Sequence, residues 1–238
     1  MGSGDAFGSG GRYQTCIKVT SGDQIALVDC GATSLAALRS QDIDPQSVDV
    51  VALTHLHGDH FGGLPFLILD GQFSGRNRPL RVYGPPGTQA RLTDTMEALY
   101  PGSSETSRRF AVPVVELEPG GCADIGALHL RCWQVIHAAG APSLALRVED
   151  RTSSFAYSGD TEWTPALIQA ADAASLFAVE AYTFEKPVRY HLDYRTLEAQ
   201  RADITATTTV LTHMSADMLG HLDEAGLPAA YDGLAFDL

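Results

Sequence analysis

One run of residues, Thr54-His55-Leu56-His57-Gly58-Asp59-His60-Phe61-Gly62-Gly63, constrains this chain more than anything else in it. It follows Val48-Asp49-Val50-Val51-Ala52-Leu53, an apolar, β-branched stretch of the kind that forms a buried strand. Imidazole nitrogens and carboxylate oxygens are good ligands for zinc-like ions, and a glycine-rich turn lets neighbouring side chains diverge toward two centres. On a regular strand His55 and His57 share one face. The turn that follows then swings Asp59 and His60 toward a second ion about 3.5–4 Å from the first. The whole chain has 8 histidines, and three of them stand here, so a chance surface cluster is a poor explanation.

The rest of the composition fits a folded protein. Among 238 residues, 45% are hydrophobic and 19% charged, which argues against disorder. A domain of this length buries roughly 70–75% of its unfolded surface. Uninterrupted apolar runs such as Phe66-Leu67-Ile68-Leu69 fall far short of the about 20 residues a membrane-spanning helix needs. Asp and Glu outnumber Lys and Arg by 29 to 16, giving a net charge of −13, which disfavours broad binding to a phosphate backbone. The start, Met1-Gly2-Ser3-Gly4-Asp5, has neither a basic nor an apolar signal region, and Ala6 stands where a myristoylation site wants Ser or Thr. Cys16, Cys30, Cys122 and Cys132 lack CxxC spacing and read as buried thiols of a reducing cytoplasm.

Periodicity and turn signals predict strands over 14–20, 25–29, 48–54, 81–83, 112–117, 128–135, 144–148, 154–157, 175–179 and 209–212. Helices are predicted over 33–41, 62–70, 88–99, 165–171, 193–204 and 215–225, with Thr33 and Ser215 as N-caps and Pro165 in a first turn. No linker divides the chain, so residues 1–238 read as a single domain, a layered α/β sandwich of two sheets with helices packed outside.

The residues at 55–60 cannot complete two metal shells, so further ligands are expected at other strand ends. His137 ends a strand-like run at Ile136, Asp160 sits in Tyr157-Ser158-Gly159-Asp160-Thr161, and His213 ends Thr209-Val210-Leu211-Thr212. With these residues in view, the chain resembles the metallo-β-lactamase-fold hydrolases and, among them, the ribonuclease Z-like phosphodiesterase branch. The pattern runs from Gly2-Ser3-Gly4-Asp5 through the histidine motif, His137 and Ser158-Gly159-Asp160-Thr161 to Leu211-Thr212-His213-Met214-Ser215.

The resemblance implies a four-layer αββα sandwich with the site at the sheet edge. It assigns His55, His57 and His137 to one metal and Asp59, His60 and His213 to the other, with Asp160 bridging. It also gives His191 a place against the scissile phosphate, backed by Glu180. The glutamate can orient and charge that imidazole, which then serves as general acid or phosphate clamp. His129 and His221 have no partner in the pattern and read as structural or exposed; Tyr182, Glu185 and Tyr190 are weaker pocket candidates.

Two departures stand out. Relatives carry a strand before the Gly-Ser-Gly loop where this chain begins, so the first strand is either cut off or lacking and a sheet edge is left exposed. The branch also carries a long Gly/Pro-rich arm for tRNA. No such insertion lies between Leu144 and Thr212, and Pro101–Arg109 reads as a solvated loop near the mouth.

The expected enzyme is a dinuclear metal-dependent phosphodiesterase of small or cyclic phosphodiesters, working through a metal-bridging hydroxide. Asp59 would accept the water's proton, and His191, held by Glu180, would stabilise the departing alkoxide. Zinc is the first expectation for both ions, with manganese or iron as alternatives. Hydrolysis of a carbonyl substrate (a lactone, thioester or β-lactam) and tRNA 3′-end processing are the competing readings. Expected partners are a small phosphodiester rather than tRNA, and no membrane; the chain stands alone or pairs as a homodimer.

Overall fold

A computed structural model describes residues 1–238. The first sheet consists of β1 (Ile17–Ser21), β2 (Gln24–Val28), β3 (Val50–Ala52), β4 (Arg81–Gly84) and β5 (Val114–Glu116), in that spatial order. β1 and β2 form an antiparallel hairpin, and β2 to β5 run parallel. The second sheet holds β6 (Cys122–Ile125), β7 (Leu128–Val135), β8 (Ser143–Glu149), β9 (Ser154–Tyr157), β10 (Leu176–Glu180) and β11 (Thr208–Thr212), again in sequence order across the sheet. Its first half is an antiparallel meander and its second half, β9 to β11, is parallel.

Period-two alternation sorts the strands' side chains into three layers of core. Ala26, Val28, Val50 and Ala52 face Leu130, Leu144, Leu146, Tyr157 and Ala178 in the gap between the sheets. The intervening residues Leu27, Val51 and Val82 face outward. They pack on Leu38 of α1 (Ser34–Ser40), on Leu64, Leu67 and Ile68 of α3 (Leu64–Phe73), and on Leu92 and Met96 of α4 (Thr88–Leu99). The short α2 (Gly58–Phe61) lies between α1 and α3 in sequence. On the far side Ala156, Phe177, Val179 and Leu211 pack on α5 (Ala166–Ala171), α6 (Tyr194–Ala199) and α7 (Ala216–Leu219). The result is the αββα sandwich expected from the resemblance. No helix is long and apolar enough to cross a membrane.

The differences from the sequence expectation are local. The helix expected over 62–70 begins two residues later and reaches Phe73, because Gly62 and Gly63 separate it from α2. The helices expected over 193–204 and 215–225 stop after fewer than two turns and about one turn, at Ala199 and Leu219, and are followed by 3₁₀ turns. Thr33 and Ser215 occupy N-cap positions without capping by side chain: the Thr33 hydroxyl instead accepts the Gln14 amide, and the Ser215 hydroxyl is buried without a partner. Pro165 precedes α5 as its N-cap rather than sitting inside the first turn. Strand β6 was not expected from its sequence, since Cys122-Ala123-Asp124-Ile125 buries only Ile125 fully. Its Cys122 is exposed, against the expectation that all four thiols are buried. The loop after α4 is tied down, with Glu97 accepting the amides of Gly102 and Ser104.

The chain's first residues form no full strand, and β1 is the outer strand of its sheet. Yet the segment is anchored on both sides. Gly2 exchanges two backbone hydrogen bonds with Cys16 (3.0 and 3.1 Å), and Gly4 bridges to Gln14 and Met214. The Gly-Ser-Gly loop thereby ties the β1 side of the first sheet to the end of β11 in the second.

Candidate metal centre

In open α/β sheets the crevice beyond the carboxyl ends of the strands is where ligands bind, because loops of varied sequence converge there on a rigid base. Every expected ligand falls at that edge. His55 and His57 follow β3, His137 follows β7, Asp160 follows β9 and His213 follows β11. Strand β3 ends at Ala52, so His55 and His57 lie in the loop beyond it, and strand alternation does not account for their convergence. The loop is instead held by its neighbours. The Thr54 carbonyl accepts the Leu144 amide of β8 (2.9 Å), which stitches the two sheets together at this point. The turn carrying Asp59 and His60 docks on the segment after β2, where the Cys30 amide bonds the His60 carbonyl (2.6 Å) and the Gly63 amide bonds the Cys30 carbonyl (2.8 Å). The approach is close enough to require glycine: a Cβ on Gly31 would run into the Asp59 carbonyl, and one on Gly63 into that of Gly31.

Two groups of ligand atoms result. His55, His57 and His137 form one, and Asp59, His60, Asp160 and His213 the other, with the donor atoms of each group within 4.8 Å of one another. His137 Nε2 lies 3.1 Å from His57 Nδ1, and His60 Nε2 lies 3.3 Å from His213 Nε2. Two nitrogens about 2.0–2.1 Å from one tetrahedral ion are separated by about 3.3 Å, so these spacings suit shared coordination. Asp160 stands between the groups. Its Oδ1 faces His60 Nε2 (3.1 Å) and His213 Nε2 (3.4 Å), while Oδ2 faces His55 Nε2 (3.8 Å) and His137 Nε2 (3.9 Å). Asp59 Oδ2 is 3.2 Å from both His60 and His213 Nε2.

The fit to two cations rests on what these atoms lack. His55 Nε2 and Asp160 Oδ1 are buried, aim into the two groups and have no hydrogen-bond partner, an arrangement that is costly unless something else satisfies them. The charge balance points the same way. Burial opposes the protonated form of His213, yet Asp160, Asp59 and Glu180 outweigh it and push the imidazole up to about 10. Burial opposes it at His60 as well, and Asp160 and Asp29 raise that group well above its ordinary value. At His55, by contrast, burial and the neighbouring His60 drive the group far down, toward the neutral ring that binds metal. The carboxylates that draw protons onto His60 and His213 would equally favour divalent cations in the protons' place, and the seven residues fit a pair of them.

A second set of residues fixes the rings. Asp29, fully buried at the end of β2 with φ +60°, accepts from His60 Nδ1 (2.6 Å), from the Thr54 amide (2.7 Å) and from the Thr54 hydroxyl (2.8 Å). Having donated to Asp29, the Thr54 hydroxyl accepts from His55 Nδ1 (3.0 Å). The Tyr190 carbonyl likewise accepts from His137 Nδ1 (2.9 Å). Each bond leaves Nε2 as the free lone pair, which is how carboxylates and carbonyls commonly orient metal-binding imidazoles. Neither Asp29 nor Thr54 was given a role from the sequence. The available signal was an Asp closing the apolar β2 beside the strand that carries the histidine motif. Replacing Asp29 by Ala is expected to weaken metal binding about 10–100-fold, a loss readable by Zn²⁺ competition against a chromophoric chelator.

His191 and Glu180 meet as well. Glu180 ends β10, is fully buried, and accepts from His191 Nδ1 (2.5 Å), from the Thr161 amide (2.7 Å) and from the Leu192 amide (3.3 Å). Burial lowers His191, but the bond and charge of Glu180 outweigh it and raise the imidazole toward its protonated form. The ring is partly exposed, stacks on Tyr182 at 4.5 Å between centroids, and has Nδ1 4.0 Å from Asp160 Oδ2. Helix α6 is capped by Asp193, which accepts the Thr196 amide, so His191 has no capping duty. His129 pairs with Asp124 on β6, and His221 stacks on Phe184; both lie outside the two groups. Glu185 is exposed and belongs to neither group.

Comparison with known proteins agrees with this architecture. Residues 1–228 match the family described as anti-Pycsar protein Apyc1. Ribonuclease Z of Thermoplasma volcanium is 30% identical over 151 residues, covering 61% of this chain and 47% of the relative. This chain thus spans about half the length of that curated relative. Human tRNase Z, short form, superposes with a TM-score of 0.81 at 22% identity, covering 99% of this chain and 96% of the other. A diphosphatase of the PhnP family superposes with a TM-score of 0.76 at 19% identity, covering 100% and 96%. The chain belongs to the anti-Pycsar protein Apyc1 family, within the ribonuclease Z-like hydrolases of the metallo-β-lactamase fold.

Proposed function

We propose that residues 1–238 form one catalytic domain, a dinuclear metal-dependent phosphodiesterase of small or cyclic phosphodiesters. In this reading His55, His57 and His137 hold one ion, Asp59, His60 and His213 hold the other, and Asp160 reaches both. Zinc suits the imidazole-rich donor set, with manganese or iron as alternatives. Two such cations, when bound, lower the pKa of an attacking water toward neutrality and offset charge growing on the phosphoryl oxygens.

The chain's own groups supply the remaining chemistry. Asp59, buried 3.2 Å from His60 and His213 Nε2, would accept the proton given up by that water. His191 donates from Nε2 to the departing alkoxide, and Glu180 on Nδ1 keeps the ring charged and correctly turned. The observation that carries phosphorus over carbon chemistry is the His191–Glu180 pair at 2.5 Å, set beside Asp160. A cation in that place has a clear task against a phosphate and little against a neutral ester. The net charge of −13 slows the approach of a long polyanion, which favours a small substrate over tRNA. The free cysteines, three of them buried, suit a reducing cytoplasm.

The test is a panel on the zinc-loaded protein: bis(p-nitrophenyl) phosphate, a cyclic phosphodiester, a lactone and a p-nitrophenyl ester, with gel retardation of tRNA at moderate salt. Turnover of the diesters without tRNA retardation is expected. Robust ester or lactone turnover without diesterase activity would overturn the reading, and so would tight tRNA binding with cleavage at its 3′ end.

A further inference from the structure

The carboxyl-terminal tail reaches the metal centre through the first residues of the chain. Beyond α7 the backbone returns alongside β11: the Leu211 amide bonds the Pro228 carbonyl (2.8 Å), and the Ala230 amide bonds the Leu211 carbonyl (2.7 Å). This brings Asp232 against the Gly-Ser-Gly loop. Asp232 Oδ1 accepts from the Ser3 amide and hydroxyl, both at 2.9 Å, and Oδ2 accepts from the Tyr13 amide at 2.8 Å. Arg12 secures the same tail, donating to the Ala230 carbonyl (2.5 Å) and to the Ser3 hydroxyl (3.4 Å).

Ser3 in turn holds the end of β11. Its carbonyl accepts from the His213 amide (3.2 Å) and from the Thr212 hydroxyl (3.4 Å). His213 needs such a hold, because its φ is +54°, a left-handed conformation that a histidine adopts only when its surroundings impose it. Behind the ring, Glu180 Oε1, already bonded to His191, faces His213 Nδ1 at 3.4 Å without hydrogen-bond geometry, a looser hold than the 2.6–3.0 Å bonds on the other rings. His60, His55 and His137 are each aimed by a hydrogen bond at Nδ1, so His213 depends more than they do on where its backbone is placed.

We propose that Asp232 is a positioning residue for the metal held by Asp59, His60 and His213, acting through Ser3 on the backbone of His213. The inference rests on the dinuclear reading of the centre. Asp232 has no path of this kind to His55, His57 and His137, so its effect is confined to one ion of the two. General destabilisation would not discriminate between the sites.

The experiment strips the full-length protein of metal and titrates it with Zn²⁺ against a chromophoric chelator, resolving two binding steps. His213→Ala identifies the step that belongs to its site. Asp232→Ala is expected to weaken that step about tenfold, the size of effect that outer-sphere partners commonly have, and to leave the other within about twofold. Should Asp232→Ala fail to fold, Asp232→Asn keeps the side chain's shape with one acceptor lost, and a smaller loss, about threefold, is expected at the same step. Unchanged affinities in the folded variant, or equal losses at both steps, would overturn the proposal while leaving the dinuclear reading intact. A wild-type chain that takes up no Zn²⁺ would overturn both.

Discussion

Replacing Asp160 by Ala is expected to cost the protein its bound metal and to lower diester turnover by about 10³-fold or more. The carboxylate faces both ligand groups, with Oδ1 toward His60 and His213 and Oδ2 toward His55 and His137. Removing it takes a negative charge from both sites at once, so both affinities fall together, unlike the one-sided loss expected for Asp232. Lewis-acid stabilisation of developing charge contributes several kcal/mol, and about 4 kcal/mol corresponds to 10³-fold in rate. Elemental analysis of the variant after gel filtration, alongside its diesterase activity, checks both halves. Asp160→Asn keeps the shape while halving the strong acceptors, and is expected to fall between alanine and wild type. Wild-type metal content and turnover in Asp160→Ala would remove the residue from the centre.

His191→Ala has the second largest expected effect, and its pattern is more informative than its size. A positioned general acid typically contributes 10²–10⁴-fold. That contribution depends on the leaving group. A p-nitrophenolate leaves as a stable anion and needs little help, whereas an alkoxide needs a proton as the bond breaks. The loss should therefore be about 10²–10³-fold or more on an alkyl or cyclic diester and distinctly smaller on bis(p-nitrophenyl) phosphate. Turnover of a neutral p-nitrophenyl ester, where present, should barely change. Equal losses on both diesters with the ester spared would make His191 a clamp on the phosphate instead of an acid, and equal losses on all substrates would make it a prop of the fold. Glu180→Gln tests the partner: the charge that raises His191 is gone while one acceptor oxygen stays available to the ring, at the expense of the bonds from the Thr161 and Leu192 amides, so a smaller loss with the same dependence on leaving group is expected.

The clustering of candidate ligands was readable from sequence wherever chemistry restricts the residue type. Only His, Cys, Asp and Glu serve well as ligands for zinc-like ions, and His137, Asp160 and His213 each close an apolar strand, so their positions could be singled out without a fold. Strand β7 was legible for a similar reason, since Leu128, Leu130 and Cys132 alternate with more exposed residues. What holds the ligands was much less legible. The Tyr190 carbonyl that turns His137 is a backbone atom that any residue would supply. Asp29 looks like an ordinary strand end until β2 and β3 are paired. Asp232 is linked to His213 only through Ser3, 229 residues away from Asp232 in sequence, because the first residues and the tail converge on β11. Short helices misled for another reason. The apolar spacing of residues 193–204 persists into the 3₁₀ turn after Ala199, and periodicity alone does not distinguish the two.

Metal content of the purified wild-type protein tests the central claim most directly. Seven side chains gathered at one sheet edge, with buried lone pairs facing inward, should retain two transition-metal ions per chain through gel filtration, and His213→Ala should retain fewer. Protein that hydrolyses diesters at full rate while free of bound ions, even in the presence of a strong chelator, would contradict the account.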